Sequence, residues 1–200
     1  MGNEKEVSNK KPDVMFYLKQ KTIRINLVLM TIIWVTVTFN YYMINFQVKY
    51  FPGDFGVNTI VMFGSDIPFC IMTGFMISFF RAKVVFLMFY VLQIIAGLSI
   101  LFLVNPNEPG VIFPALVSCA RGGVLGVFVT VYITHPKMFP TLFSVTSMGI
   151  SNIFSRSIVI MAPMVAEISF PTPMIIFTIL NTFALVCAYF IIDEEEPLKE

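Results

Sequence analysis

The sequence predicts an all-α, polytopic membrane protein with six transmembrane helices. Six apolar stretches fill most of the 200 residues, and each is long enough to cross the hydrocarbon core, which takes roughly 20 residues of helix. The composition agrees, because 57% of the residues are hydrophobic and only 12% are charged, which leaves more apolar surface than a soluble domain can bury. The predicted spans cover residues 25–48, 57–80, 84–104, 111–134, 142–165 and 174–192.

The remaining residues form a polar head at 1–24, short links, and an acidic tail at 193–200, around one membrane domain at 25–192. Lysine and arginine concentrate in the head and in the second and fourth links, whereas the opposite links carry Asp54, Glu108 and Glu167. Positively charged links stay on the cytoplasmic side, or on the matrix side in a mitochondrion. Both termini are therefore predicted inside, in an integral membrane protein of the plasma membrane or of an organelle inner membrane.

One face of the first span is polar and aromatic. Hydrogen-bonding side chains recur there at helical spacing with two rings beside them: Thr31, Thr38, Tyr42 and Asn45, flanked by Trp34 and Tyr41. Aromatic stripes often only pack, but lipid would penalise the polar groups of Thr38 and Asn45. We therefore expect this face to line a cavity.

Three charged side chains fall inside the second, fourth and fifth spans: Asp66, Arg121 and Arg156. A charge near the middle of a span costs about 2.5 to 3.5 kcal/mol on insertion scales, so each must face protein or a wet cavity. Asn152, one helical turn before Arg156, adds a polar group to the same face. The alternative is that Asp66 pairs with Arg121 or Arg156 and only fastens helices together.

Prolines inside three of the spans are expected to free backbone carbonyls and to bend their helices. They are Pro68, Pro114 and Pro163.

The sequence contains no motif of a soluble enzyme: no nucleophile elbow, P-loop, HExxH or dinucleotide fingerprint. No catalytic residue, metal site or cofactor is predicted, because the single histidine and the three cysteines form no cluster. His135, next to Pro136, is expected to lie solvated in a link. The net charge of +1 indicates no nucleic-acid partner. Transport or a structural role in the membrane remains.

Several landmarks occur in a specific order: Trp34, then Tyr41 and Tyr42, then Phe-Gly-Ser-Asp-Ile-Pro at 63–68, Arg81 in a short link, Met-Phe-Pro-Thr at 138–141, and Arg156 ahead of Pro163. This order resembles helices 7 to 12 of the organic-ion transporters of the major facilitator superfamily. The resemblance implies one six-helix half of that fold, with a substrate site facing the other half. Arg156 is similar in placement to an arginine of the family's anion carriers. Taken together with the polar residues of the spans, the resemblance leads us to expect these substrate-binding residues: Trp34, Tyr41, Tyr42, Asn45, Asp66, Arg121, Asn152 and Arg156.

The sequence also departs from that family. The link at 79–83 lacks the usual glycine and acid, and Lys137 and Ser144 stand where a glutamate and an arginine are usual. Half a carrier cannot alternate alone, so within the lipid bilayer the chain is expected to need another six-helix half, a second copy of itself, or a larger membrane complex. Two functions stay open: transport of a small organic ion, most simply an anion, and a transport-inactive accessory subunit, for example of a mitochondrial respiratory or other energy-converting assembly.

Overall fold

The computed structural model describes residues 14–51, 54–103 and 112–192, and these ranges contain helices and no strand. Most of the predicted head, the acidic tail and the link that holds Glu108 lie outside the described residues. The helices are α1 (Val14–Lys19), α2 (Lys21–Gln47, continued by a 3-10 turn at Val48–Tyr50), α3 (Phe55–Gly64), α4 (Asp66–Phe79), α5 (Ala82–Leu103), α6 (Ile112–Met138), α7 (Thr141–Val159), α8 (Ala162–Ala166) and α9 (Thr172–Tyr189).

The predicted all-α membrane fold is confirmed. Five stretches of the described chain are long and apolar enough to cross a membrane: Lys21–Tyr50, Phe55–Phe79, Ala82–Leu103, Ile112–Met138 and Thr172–Tyr189. The segment predicted as the fifth span, at 142–165, is not among them. It is divided into α7 and α8, and α7 carries five serines, an asparagine and an arginine that lower its hydropathy. α7 nevertheless packs along α2 within the same bundle.

Proline explains both interruptions in the helices. The nitrogen of Pro68 cannot donate a hydrogen bond to the carbonyl of Gly64, where α3 ends. Pro163 fails in the same way to reach Val159, where α7 ends. Pro114 lies in the first turn of α6, whose N–H groups need no partner within the helix, so α6 is continuous there. The helices are interrupted near two of the three prolines, as expected, and α6 is uninterrupted at the third.

The bundle is built around α2 and α5. α5 packs between α6 and α9, while α2 contacts α6, α7, α8 and α9, and α4 rests mainly on α6. Three glycines on α6 permit the close approach of its neighbours. A Cβ atom on Gly126 would lie 2.5 Å from the ring of Phe89, and one on Gly123 would lie 2.6 Å from Gln93 of α5. A Cβ on Gly122 would collide with the ring of Phe69 on α4. This is the close helix packing that small residues allow in membranes.

Buried amides add polar ties between distant helices. Asn40 of α2 donates to the side-chain oxygen of Asn181 of α9 at 2.9 Å, and both residues are fully buried. Asn26 exchanges two hydrogen bonds with the backbone of Ile192, at 3.0 Å and 3.2 Å. These bonds hold α9 and the residues that follow it against α2. They also give partners to polar groups that would be costly to bury without a hydrogen bond.

His135 corrects an expectation. It was predicted to be solvated in a link, but α6 continues to Met138, beyond the predicted end at 134, and His135 lies fully buried in its last turn.

The faces of α4 and α7 remain the most open part of the bundle. The span formed by α3 and α4 is the least buried of the five. α4 exposes Ile67, Ile71, Phe75 and Phe79, and α7 exposes Val145, Ile153 and Phe154. Gly74 on α4 and Gly149 on α7 have no neighbour within 4 Å of where a Cβ would be. These faces are open to lipid or to another protein.

Candidate functional site

A polar band crosses the bundle from α4 to α7. It consists of Asp66 on α4, Arg121 on α6, Tyr41, Tyr42 and Asn45 on α2, and Arg156 on α7. We call these six residues the central band. Each is joined to at least one other member by a hydrogen bond or a ring contact. The structure therefore brings together six of the eight predicted site residues.

Asp66 and Arg121 form a bidentate ion pair at one end of the central band. Nε of Arg121 donates to Oδ1 of Asp66 at 2.9 Å, and Nη2 donates to Oδ2 at 2.7 Å. Asp66 occupies the first turn of α4, where the helix dipole favours a negative charge. Parallel N–H···O bonds of this kind are the strong form of an arginine–carboxylate contact. One alternative left open by the sequence, pairing of Asp66 with Arg121, is present in the structure.

The rest of the Arg121 guanidinium is also occupied. Nη1 donates to the side-chain oxygen of Asn45, and Nη2 approaches the Tyr41 hydroxyl at 3.4 Å. The Cζ atom lies 4.9 Å from the centre of the Tyr41 ring and 4.5 Å from that of Phe63. Arg121 is fully buried. Its charge is balanced by Asp66, and no face of the guanidinium is left for a ligand.

Arg156 has a different environment at the other end of the central band. Its Nη1 donates to the Tyr42 hydroxyl at 3.1 Å, and no carboxylate pairs with it among the described residues. The side chain is exposed on the surface of α7. Pairing of Asp66 with Arg156, the other alternative left open by the sequence, does not occur, because Asp66 is paired with Arg121. A neutral phenol leaves the positive charge of Arg156 uncompensated.

Asn152 lies one turn from Arg156 on α7 and is half-buried. Its side-chain nitrogen donates to the carbonyl of Met148 on the same helix at 3.0 Å. No side chain of the central band forms a hydrogen bond with it.

An aromatic strip extends from the central band along α2 and α6. Successive ring centres are 5.5 Å apart for Tyr41 and Phe128, and 5.2 Å for Phe128 and Tyr132. Tyr41, Tyr42 and Phe128 are half-buried and Tyr132 is 38% exposed, so the strip offers aromatic surface that begins at Tyr42, the hydrogen-bond partner of Arg156. We call these four rings the aromatic strip.

Trp34 lies behind the aromatic strip. Its ring is 4.9 Å from Tyr132 and is only 1% exposed. In this conformation it supports the strip from the core and adds no surface to it.

Three rings around the site were not singled out from the sequence: Phe63, Phe128 and Tyr132. The last two are four residues apart on α6 and face the same way. That spacing was a usable signal, but it points to a site only once the Tyr41 ring is known to lie against Phe128. No group of three or more histidine, cysteine or acidic residues in the described ranges could hold a metal ion.

Comparison with known proteins gives relatives of one kind. The chain is 26% identical over 175 residues to organic anion transporter 3 of Rattus norvegicus, an alignment that covers 86% of this chain and 32% of the relative. It is 28% identical over 178 residues to organic anion transporter 3 of Mus musculus, with the same two shares. It is 21% identical over 165 residues to organic cation/carnitine transporter 2 of Rattus norvegicus, covering 79% of this chain and 28% of that protein. No protein-family model matches the chain.

These comparisons confirm the resemblance to organic-ion transporters that the sequence predicted. The matched proteins are transporters and not enzymes. The chain spans about a third of the length of the curated relatives it matches.

Proposed function

We propose that this chain is one six-helix half of a membrane carrier for small organic anions, and that a second six-helix body completes its substrate cavity over the central band. The single observation that carries the proposal is Arg156, an exposed arginine inside a membrane bundle with no carboxylate partner among the described residues.

The charges of the central band favour an anionic substrate. Asp66 and Arg121 cancel each other within the bundle, so the central band has a net charge of about one positive unit, located at Arg156. A guanidinium binds a carboxylate through two parallel hydrogen bonds, with a geometry that an ammonium cannot match. Within the described part of the chain Arg156 uses one N–H, toward Tyr42, which leaves its other donors for a ligand.

The energetic cost of exposing an arginine to lipid supports the presence of a second six-helix body. An arginine at mid-span that faced hydrocarbon would cost about 2.5 to 3.5 kcal/mol on insertion scales. A protein surface or a hydrated cavity beside α7 removes that cost. The open glycine at Gly149, seven residues before Arg156 on the same face, leaves room for another helix to approach closely.

The aromatic strip supports an organic rather than an inorganic anion. The strip begins at Tyr42, which bonds to the Arg156 guanidinium, and its other rings follow at contact distance from one another. Their apolar faces suit an aromatic or aliphatic body attached to a carboxylate. The printed names of the relatives are of carriers of organic anions and of organic cations or carnitine, in keeping with this class of solute.

The transport mechanism that follows is rocking of the two halves around a fixed midplane site. The altered links at 79–83 and 137–144 would change the stability of the conformation in which the carrier is closed on its inside face. A transport-inactive accessory subunit gains no support, because the matched relatives are transporters.

The test is uptake by the chain together with its partner. The chain is extracted in mild detergent, the protein that stays bound is identified, and both are reconstituted in vesicles. We expect saturable uptake of an aromatic monocarboxylate such as benzoate and none of the neutral amide of the same shape. Absence of uptake with every copurifying partner, and with the chain alone, would contradict the proposal.

A further inference from the structure

His135 is a buried ionisable side chain that the proposed transport site does not use. It is fully enclosed where α2, α6 and α7 meet. Its Nε2 atom lies 3.0 Å from Oγ of Ser147 on α7. Its ring packs edge-on against Trp34 of α2, with centres 5.2 Å apart, and lies 5.0 Å from the ring of Phe139.

The surrounding hydrogen bonds determine which ring nitrogen can take a proton. The Ser147 hydroxyl donates to the carbonyl of Ser144 at 2.8 Å, so its oxygen accepts from Nε2–H of His135. Nδ1 therefore carries the lone pair of the neutral imidazole. No group in the described part of the chain bonds to Nδ1.

We propose that Nδ1 of His135 is a proton-binding site, and that its protonation loosens the seam between α6 and α7. The seam is defined by two contacts, His135 with Ser147 and the Ser144 hydroxyl with the carbonyl of Pro136 at 3.4 Å. A protonated ring needs an acceptor at both nitrogens, and the closed seam offers one only at Nε2.

The charges around the site strengthen this conclusion. None of the helices that meet around it, α2, α6 and α7, contains an aspartate or a glutamate, and neither does the neighbouring α1. The ionisable side chains at this end of those helices are phenols or cations: Tyr17, Lys19, Lys21, Arg24, Tyr132 and Lys137. Arg156, farther along α7, is also a cation. Among the described residues a buried imidazolium would have no counter-charge here, and solvation by water requires that the seam open.

The consequence is a conformational equilibrium at the predicted inside end of the bundle that depends on pH. Acid on that side would favour the open seam, and neutral pH would favour the closed one. Trp34 contacts both His135 and Tyr132 of the aromatic strip, while His135 is outside the central band. The proton site acts whether or not the central band binds an anion.

Trp34 is a built-in reporter, because it is the single tryptophan of the chain and touches His135. A protonated imidazole in contact with an indole quenches its emission. The experiment uses the whole chain in lipid nanodiscs, without any anion, titrated from neutral pH to well below the ordinary imidazole pKa of about 6.5, because the proton must enter a buried site that offers no counter-charge among the described residues. We expect Trp34 emission to fall as the pH decreases, and we expect no such fall in His135→Gln.

Glutamine is the matched replacement, since its amide N–H can still donate to Ser147 while it cannot take a proton in this range. Unchanged helicity by circular dichroism verifies that the variant folds. A flat titration of the wild-type chain, or the same titration curve in His135→Gln, would overturn the proton site.

Opening of the seam is tested separately by cysteine labelling. With Cys70, Cys119 and Cys187 replaced, the modification rate of Ser144→Cys is divided by that of the exposed Thr141→Cys at each pH, which cancels the ordinary loss of thiolate in acid. We expect this ratio to rise several-fold on acidification with His135 present and to stay constant with His135→Gln. A constant ratio in both backgrounds would overturn the loosening.

Discussion

Arg121 on α6 holds both carboxylate oxygens of Asp66 on α4, with N···O distances of 2.9 Å and 2.7 Å. The two residues are 55 positions apart in the sequence. Because Asp66 balances the charge of Arg121, that arginine is not a candidate for binding an anionic ligand. Arg156, whose partner among the described residues is a neutral phenol, is the other arginine in the predicted spans.

Breaking the pair should destabilise the bundle. Arg121→Met or Asp66→Ala leaves the other charge without its partner, a change that typically costs about 3 to 5 kcal/mol for a buried pair. We expect the lower end of this range, because the Asp66 side chain is 21% exposed. The measurement is the unfolding free energy in lipid nanodiscs.

The double variant Asp66→Ala with Arg121→Met is the control for that prediction. It removes both charges, so its loss of stability should be smaller than that of either single change. A loss equal to the sum of the two would show that the residues are not coupled.

Adding a methyl group at Gly126 should destabilise the contact of α6 with α5. The new Cβ would lie 2.5 Å from the Phe89 ring, and overpacking of this kind costs about 1 to 3 kcal/mol. Gly74→Ala on α4 is the matched control. It meets nothing within 4 Å and should be neutral or slightly stabilising, because alanine is the better helix former. Equal thermal stability of the two variants would contradict this packing.

A larger side chain at Gly149 should separate folding from assembly. Gly149→Leu fills open space on α7, so we expect the isolated chain to keep its stability within about 0.5 kcal/mol. If a partner helix docks there, copurification of the second body should fall sharply. Ile179→Phe, which adds bulk to an exposed position on α9, is the control and should leave assembly unchanged. Loss of assembly in both variants would indicate a general defect.

Removing the hydroxyl of Tyr42 should weaken anion binding without abolishing transport. The phenol orients the Arg156 guanidinium through one hydrogen bond, and a net contribution of about 1 kcal/mol corresponds to a several-fold rise in KM for Tyr42→Phe. Tyr132→Phe is the matched control. The Tyr132 hydroxyl makes no hydrogen bond within the described ranges, so this change should leave KM unaltered. A similar effect from both changes would argue against orientation by Tyr42.

The positions of the helices follow closely from the sequence. Observed helix ends lie within a few residues of most predicted span ends, and the interruptions near Pro68 and Pro163 follow from the missing N–H of proline. α7 is the exception, because its serines lower the hydropathy that defines a span.

The pairing of charges did not follow from the sequence. Whether Asp66 meets Arg121 or Arg156 depends on the rotation of three helices about their axes, which hydropathy does not determine. The burial of His135 was missed for a similar reason, since the last turn of α6 continues through Pro136 and turns that ring toward α2. The contact of Asn40 with Asn181 also requires knowledge of which helices are neighbours.

Uptake of an aromatic monocarboxylate by the reconstituted assembly, compared among variants of α7, addresses the role of Arg156 most directly. We expect Arg156→Ala to abolish saturable uptake at unchanged stability, and Arg156→Lys to retain part of it with a higher KM, since lysine keeps the charge and loses the paired geometry. Ser157→Ala, at an exposed neighbour whose hydroxyl bonds only to its own helix, should transport normally. Full uptake by Arg156→Ala would contradict the assignment of Arg156 as the cation that binds the anion.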